Sequence, residues 1–376
     1  MKICFDARVI INHKTGLGNY TYNLLKYLLE IDKNNLYIVL INKKLRNDHP
    51  LFNLKQDNII EKIVNIPPVS FKQQYLLPME LFNEKFDLYH YPNWDVPILQ
   101  KCKTIFTIHD LTYLLHKNLY VNFSLIKRIY TRINIYLGLK KAKKIIAVSE
   151  NTKRDLLKIS NIPSDKIRVI YESCEDIFKN SKLKKEKNNQ IFNLKKIEKY
   201  FLFVGEKRPH KNLIRIINAF HLFKNRYNNY KLIIAGKQYA EYEEPEQLVK
   251  KLDLINDIIF YDYVDIETLI NLYQKAEALL FVSIYEGFGI PILEAMACGT
   301  PVITSNLSSM PEIAGDAALT VNPYNINEIV EAMTLIVQDV NLRYELVKNG
   351  FKRIMDFSWK KAAEQTLKLY ESVLNN

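Results

Sequence analysis

Cysteine is scarce in this sequence: Cys4, Cys102, Cys174 and Cys298 lie far apart among 376 residues, with no paired spacing. Three of them sit in or beside apolar runs, which argues against a disulfide framework and for buried thiols in a reducing compartment. Long apolar runs are missing too; none approaches the ~20 residues that a membrane-spanning helix requires. The N-terminal MKICFDARVI enters a strand-like segment at once and lacks signal-peptide architecture, so a cytoplasmic protein is expected. No internal repeat is evident.

Hydrophobic residues make up 48% of the chain, enough for a substantial core. Its length favours two domains, since single cores stop growing near ~250–300 residues. Lys and Arg outnumber Asp and Glu by 53 to 41, a net charge of +12. The excess is dispersed and no recognition motif accompanies it, so nucleic acid is not an expected partner. Attraction to nucleotide phosphates or to an anionic leaflet remains open, beside the plain alternative of a solvated basic surface.

Short apolar segments alternate with helical ones. KICFDA, LYIVLIN, TIFTIHD (104–110), KIIAVSE (144–150) and IRVIY (167–171) read as strands of a first α/β half, with a helix from Tyr20 to Glu30. Residues 176–199 are polar and lysine-rich, as a surface linker would be. Alternation then resumes with YFLFVG, KLIIAG, ALLFVS and PVITS, and a helix spans roughly Trp359 to Val373. The pattern predicts two α/β domains, 1–175 and 200–358, each a mostly parallel sheet covered on both faces, with a C-terminal helix at 359–376 that packs back on the first. Ligands bind such sheets beyond the carboxyl ends of the strands. Gly16, Gly18, His109, Asp110, Gly205 and Glu286 all stand in such places.

The stretch EGFGIPILEAMACGTPV (286–302) carries the most chemistry. Gly287 and Gly289 permit a tight turn and close approach. Pro291 suits the first turn of a helix that stops at Gly299, and unpaired amides at its start would attract an anion. Glu294, expected in that first turn, would repel phosphate but can accept hydroxyl hydrogen bonds from a diol, as can Glu286. Amides for phosphate beside carboxylates for diols describe a nucleotide-sugar pocket.

This stretch resembles the E-x7-E signature of family 4 retaining glycosyltransferases. Further segments resemble that family in order: TGLGNYTYNLLKYL, TIHDLTYL, KKIIAVSENTKRDL, VGEKRPHKNL, TSNLSSMPEIAGDAAL and FSW. The resemblance implies the GT-B fold, two Rossmann-like doubly wound domains facing a central cleft, with acceptor bound by the first and donor by the second. It assigns the ribose to Glu294 and the donor sugar hydroxyls to Glu286, with the amides from Gly287 through Phe288 and Gly289 to Ile290 near sugar and diphosphate. Lys211, in the loop after Gly205, matches the lysine that neutralises the leaving diphosphate. Either Lys207 or Arg208 fills the companion arginine role, and the two chemistries are not equivalent. His109 takes the place of a histidine that contacts the donor sugar, with Asp110 orienting its loop. Gly16 and Gly18 would let backbone approach the donor diphosphate or the acceptor, and Asn19 stands where many relatives have arginine. No cofactor is implied. No Asp-x-Asp pair follows a strand as in metal-dependent transferases of the other major fold, so no metal is expected.

The favoured function is retaining transfer of a hexose, mannose from GDP-mannose leading, in bacterial surface polysaccharide or lipopolysaccharide assembly. Alternatives are a nucleotide-sugar hydrolase or epimerase of the same fold and a non-catalytic nucleotide-sugar-binding protein. Partners would be a nucleotide-diphosphate sugar and a glycan or polyprenyl-diphosphate-linked acceptor. Segments 67–82 and 124–144, with Lys72, Lys127, Arg128, Arg132 and lysines at 140–144, mix aromatic and basic residues. They fit either a solvated helix face or peripheral contact with the anionic inner face of the cytoplasmic membrane.

Overall fold

The structure is a computed structural model that describes residues 1–116, 125–181, 199–238 and 242–375. Its first strand, β1 (Lys2–Asp6), leads into α1 (Gly16–Ile31), β2 (Leu36–Asn42) and β3 (Ile59–Val64). Next come α2 (Phe71–Glu80), β4 (Leu88–Tyr91), β5 (Lys103–Ile108), the short α3 (Thr112–Leu115) and α4 (Leu125–Lys141). Then β6 (Lys144–Ala147), α5 (Glu150–Ile159) and β7 (Ile167–Val169) complete a seven-stranded sheet in the order β3-β2-β1-β4-β5-β6-β7. Every pairing in it is parallel.

A single helical turn, α6 (Asp176–Lys179), precedes the second sheet. That sheet and its helices run β8 (Tyr200–Val204), α7 (Leu213–Lys224), β9 (Lys231–Ala235), α8 (Glu244–Lys251), β10 (Ile258–Tyr261) and α9 (Ile266–Lys275). They continue through β11 (Ala278–Phe281), α10 (Ile290–Cys298), β12 (Val302–Ser305), α11 (Met310–Ala314) and β13 (Leu319–Val321). The strand order is β10-β9-β8-β11-β12-β13, again all parallel. Helices α12 (Ile326–Gln338), α13 (Val340–Arg353) and α14 (Trp359–Leu374) follow.

Two compact units result, one of Met1–Glu172 with Ser358–Asn376 and one of Ser173–Phe357. In the N-terminal unit α14 packs along α1, with Trp359, Ala363 and Tyr370 entering the core beside Tyr20, Leu24 and Leu28. The core of the C-terminal unit centres on Phe201, Phe203, Ile217, Phe220, Leu280 and Met333. Each sheet reverses its strand order beside its first strand, at β1/β4 and at β8/β11. Such reversals open a crevice at the strands' carboxyl ends, where ligands bind.

Several boundaries differ from the sequence expectation for local reasons. Helix α1 starts at Gly16 rather than Tyr20, because the Thr15 hydroxyl caps the Gly18 amide at 3.0 Å. Strand β5 stops at Ile108, so His109 and Asp110 lie just beyond it. Glu294 is not in the first turn of its helix: α10 begins at Ile290, which places this residue in the second turn. Of the linker expected at 176–199, residues 182–198 lie outside the described residues, and Asp176–Lys179 is helical. Cys4, Cys174 and Cys298 are buried, whereas Cys102 is only partly so, and all four are unbridged.

Candidate active site

In the C-terminal unit, strand β8 is followed by a glycine, Gly205, with φ +147°. The neighbouring backbone leaves no room there: a side chain on Gly236 would fall 1.9 Å from the Gly205 carbonyl oxygen. The loop that follows turns through a 3-10 helix at Pro209–Lys211 to Asn212, itself at φ 64°. Asn212 is buried and its side-chain amide donates to the carbonyls of Val282 (3.0 Å) and Pro323 (2.7 Å), tying the loop to the end of β11.

This anchoring sets Lys211, whose ammonium donates to Glu286 Oε1 at 2.7 Å and lies 5.1 Å from the centre of the Phe281 ring. Both partners are largely shielded from water, at 15% and 12% side-chain exposure, so their attraction is only weakly screened. The backbone of Glu286 is fixed as well: Ser308 and Ser309 hydroxyls donate to its carbonyl at 2.6 and 3.0 Å. Ser309 also donates to the Phe288 carbonyl at 2.8 Å. Gly287, Phe288 and Gly289 are buried, and Gly289, at φ +113°, supplies a left-handed cap that most side chains resist. Ile290 opens α10 with Pro291 behind it.

One turn further, Glu294 Oε2 accepts from the Tyr273 hydroxyl at 2.8 Å. Burial, with Glu294 adding to it, pushes the Tyr273 phenol up, so it stays a donor to that carboxylate. Glu286 and Glu294 are thus held by different devices, an ammonium and a phenol.

Lys207 and Arg208 follow separate courses. The Lys207 side chain is 2% exposed and lies 3.2 Å from both Glu246 and Asp262, over the Phe260 ring. Arg208 donates through Nε to Glu206 Oε2 at 2.8 Å.

In the N-terminal unit, His109 follows β5 with both ring nitrogens bonded. Nδ1 lies 2.8 Å from Glu172 Oε1 and Nε2 lies 3.1 Å from the Pro92 carbonyl oxygen. The Pro92 carbonyl can only accept, so the bond at Nε2 needs a ring N–H there. Tyr20 packs edge-on against the ring, centroids 4.4 Å apart. Asp110 accepts the Thr112 amide at 2.9 Å, just ahead of α3. Gly16 and Gly18 lie in the first turn of α1, with open space around the first. Asn19 accepts from the Asn23 side chain at 2.8 Å.

Glu172 and Tyr273, the direct partners of His109 and Glu294, were not singled out from sequence. Glu172 carried a usable signal, a carboxylate in YESCE shortly after β7. Tyr273 faces inward from α9 and carried none.

Family comparisons complete the picture. Residues 15–173 match the Glycosyltransferase Family 4 model, and residues 184–353 match Glycosyl transferases group 1. The chain is therefore a two-domain glycosyltransferase, joining a family 4 domain to a group 1 domain. Among its relatives, O-antigen chain mannosyltransferase B of Escherichia coli is 28% identical over 99% of this chain and 100% of its own length. O-antigen chain mannosyltransferase RfbU of Salmonella typhimurium is 36% identical over 61% of this chain and 58% of its own. Sucrose-phosphate synthase from Thermosynechococcus elongatus superimposes with a TM-score of 0.77 at 19% identity, covering 100% of this chain and 99% of its own. The Anabaena HepE complex with UDP and glucose gives a TM-score of 0.75 at 16% identity, covering 99% and 100%. These neighbours share the GT-B fold, and the two parallel α/β sheets described above have it too.

Proposed function

We propose that this glycosyltransferase moves a hexose, with mannose the leading candidate and GDP-mannose its donor, onto a glycan or polyprenyl-diphosphate-linked acceptor. The setting would be bacterial surface polysaccharide assembly at the inner face of the cytoplasmic membrane. Two relatives named as O-antigen chain mannosyltransferases support the sugar and the setting.

The observation that carries the reading is the Lys211–Glu286 pair, 2.7 Å apart at the head of α10 and beside the Gly287–Gly289 turn. As the bond from the sugar to the diphosphate breaks, negative charge grows on the departing oxygen. A fixed ammonium then stabilises the transition state more than the ground state. Glu286 would accept from sugar hydroxyls and Glu294 from the ribose. In the retaining course, the departing phosphate takes the proton of the attacking acceptor hydroxyl on the same face of the sugar. His109, fixed by Glu172 and the Pro92 carbonyl, would contact the donor sugar through its ring, and Gly205, Arg208 and Lys207 would shape the loop beneath the phosphates. Lys211 supplies the cationic charge, so transfer should proceed without a divalent metal.

The test is calorimetric titration across common nucleotide sugars, repeated with Glu294→Ala, followed by transfer assays in EDTA with NMR of the product anomer. GDP-mannose should bind tightest, the variant should lose about 1.5–3 kcal/mol of nucleotide affinity, and an α-mannoside should form. Unchanged affinity in the variant would remove Glu294 from the ribose. An inverted anomer, or activity abolished by EDTA and restored by Mg²⁺, would overturn the mechanism.

A further inference from the structure

Helix α4 is apolar on two faces. Its inward face buries Ile135 and Leu139 with Thr131 and Asn134, while Ile126, Ile129, Ile133 and Tyr136 are exposed. Spacings of three and four residues place those four in one stripe. Helix α2 likewise buries Leu77 and Gln73 yet exposes Phe71, Tyr75 and Met79, with Phe82 just past its end at 76%. The helices are neighbours: the Phe71 and Tyr130 rings approach to 4.1 Å between centroids, and the Tyr130 hydroxyl donates to the Ser70 carbonyl. Between them runs an apolar groove of ≈ 340 Å³, lined by Phe71, Ile98, Ile129 and Ile133 among others. Exposed apolar side chains gathered in one contiguous groove, rather than scattered singly, point to an interaction site.

At the far end of α4 stands a cleft of ≈ 310 Å³ lined by Lys140, Lys141, Lys143, Lys144 and Lys166, with Asp165 its one acidic member. Burial lowers the Lys166 ammonium's pKa, and the charges of Lys143 and Lys144 add to the effect. An apolar stripe leading into crowded cations fits one partner chemistry, a bilayer interface with anionic headgroups. A second copy of this chain fits poorly, since a two-fold interface would set this lysine cluster near its own image.

We infer that the α2–α4 face of the N-terminal unit docks on an anionic lipid surface, the apolar stripe entering the acyl boundary and the lysine cleft holding headgroup phosphates. The inference rests in part on the proposed lipid-linked acceptor, because docking would bring the N-terminal unit to it. Binding can nevertheless be read without turnover.

Co-sedimentation with phosphatidylcholine vesicles, with and without one third phosphatidylglycerol, tests it directly. The wild-type chain should bind only the anionic vesicles and release as salt rises. Lys140→Gln and Lys143→Gln should each weaken binding about fivefold, the factor expected for one basic residue near a charged membrane. Ile129→Ser with Ile133→Ser should weaken it further in a way salt does not mimic. Because these side chains are exposed, thermal unfolding should not move, and nucleotide-sugar binding should be retained in all variants. Equal binding to both vesicle types, or to neither, would overturn the inference. So would a wild-type dimer in sedimentation velocity that the isoleucine substitutions dissociate. Loss of nucleotide-sugar binding in the wild type would count against the transferase reading and not against docking.

Discussion

In the N-terminal sheet, Asp6 on β1, His90 on β4 and Thr104 and Thr107 on β5 are fully buried, whereas β8, β9 and β11 of the C-terminal sheet bury aliphatic and aromatic side chains. Thr304 and Ser305 on β12 apart, the buried polar groups of the C-terminal unit lie outside its strands, as at Lys207, His210, Asn212 and Ser283. The polar groups inside the first sheet are hydrogen-bonded, Thr104 to the Cys102 carbonyl and the others in two side-chain networks. Arg8 grips Asp6 through Nε at 2.8 Å and Nη2 at 2.6 Å, and donates to the Ile66 carbonyl and Gln73. His90 lies between the hydroxyls of Tyr370 and Thr107, and Thr107 bonds the Tyr20 hydroxyl at 3.1 Å. Tyr20 in turn packs on His109. Polarity within a sheet ties the fold together, while polarity beyond its strand ends is available for chemistry.

Removing Arg8 should break this contrast most severely. Arg8→Met leaves Asp6 charged and unpaired in a fully buried site, and breaking such a pair costs about 3–5 kcal/mol. Chemical denaturation should show the N-terminal unit unfolding at lower urea while the C-terminal transition stays in place. A single unshifted transition would contradict the division into a polar-stapled and an apolar-cored unit.

Lys211→Ala should do the reverse, leaving stability nearly unchanged and slowing transfer by a factor on the order of 10²–10³, as for loss of one oxyanion donor. Single-turnover kinetics with donor saturated should locate the loss in the chemical step. A wild-type rate would exclude Lys211 from the site.

The smallest effect sharpens the comparison through pH. Burial, with His109 adding, pushes the His90 imidazole down to about 3 from 6.5, so it is neutral in the fold. The unfolded chain binds this proton more readily, so the stability His90 contributes is complete above about pH 6.5 and fades as pH falls toward 3. Asp95 has the opposite sign: burial, partly offset by Tyr91 and Arg8, raises it from 3.8 to about 8. Its contribution is complete below pH 3.8 and fades as pH rises toward 8. The N-terminal unit should therefore be most stable in mildly acidic solution, and His90→Asn should flatten only the acidic limb. Equal acid sensitivity in that variant would place the titration elsewhere.

Much of the architecture was legible because parallel strands buried on both faces read as unbroken apolar runs, as LYIVLIN and YFLFVG do. Of the strands not anticipated, three depart from that pattern: LYHY (β4) buries a histidine, IIEKIV (β3) is an edge strand carrying exposed charge, and LTV (β13) has three residues. The fourth, IIFY (β10), keeps the apolar pattern but is a four-residue edge strand. Candidate site residues were legible where they directly follow strands, as His109, Gly205 and Glu286 nearly do. Their partners were not, because pairing depends on distant chain: Glu172 lies 63 residues from His109, and Glu246 and Asp262 lie 39 and 55 from Lys207. The turn holding Glu294 was misplaced because Gly289 caps the helix and starts it at Ile290, so the first turn is complete before Glu294 is reached.

The seating of α14 bears on the order in which this molecule is made. Helix α14, led by Trp359 and Tyr370, completes a core whose remaining members lie before residue 173, yet a ribosome reaches it only after the entire second unit. Until then the growing chain exposes the apolar face of α1, and His90 lacks its phenolic partner. The unit synthesised first is the last to be finished, so the C-terminal unit can close while its predecessor still waits for its final helix.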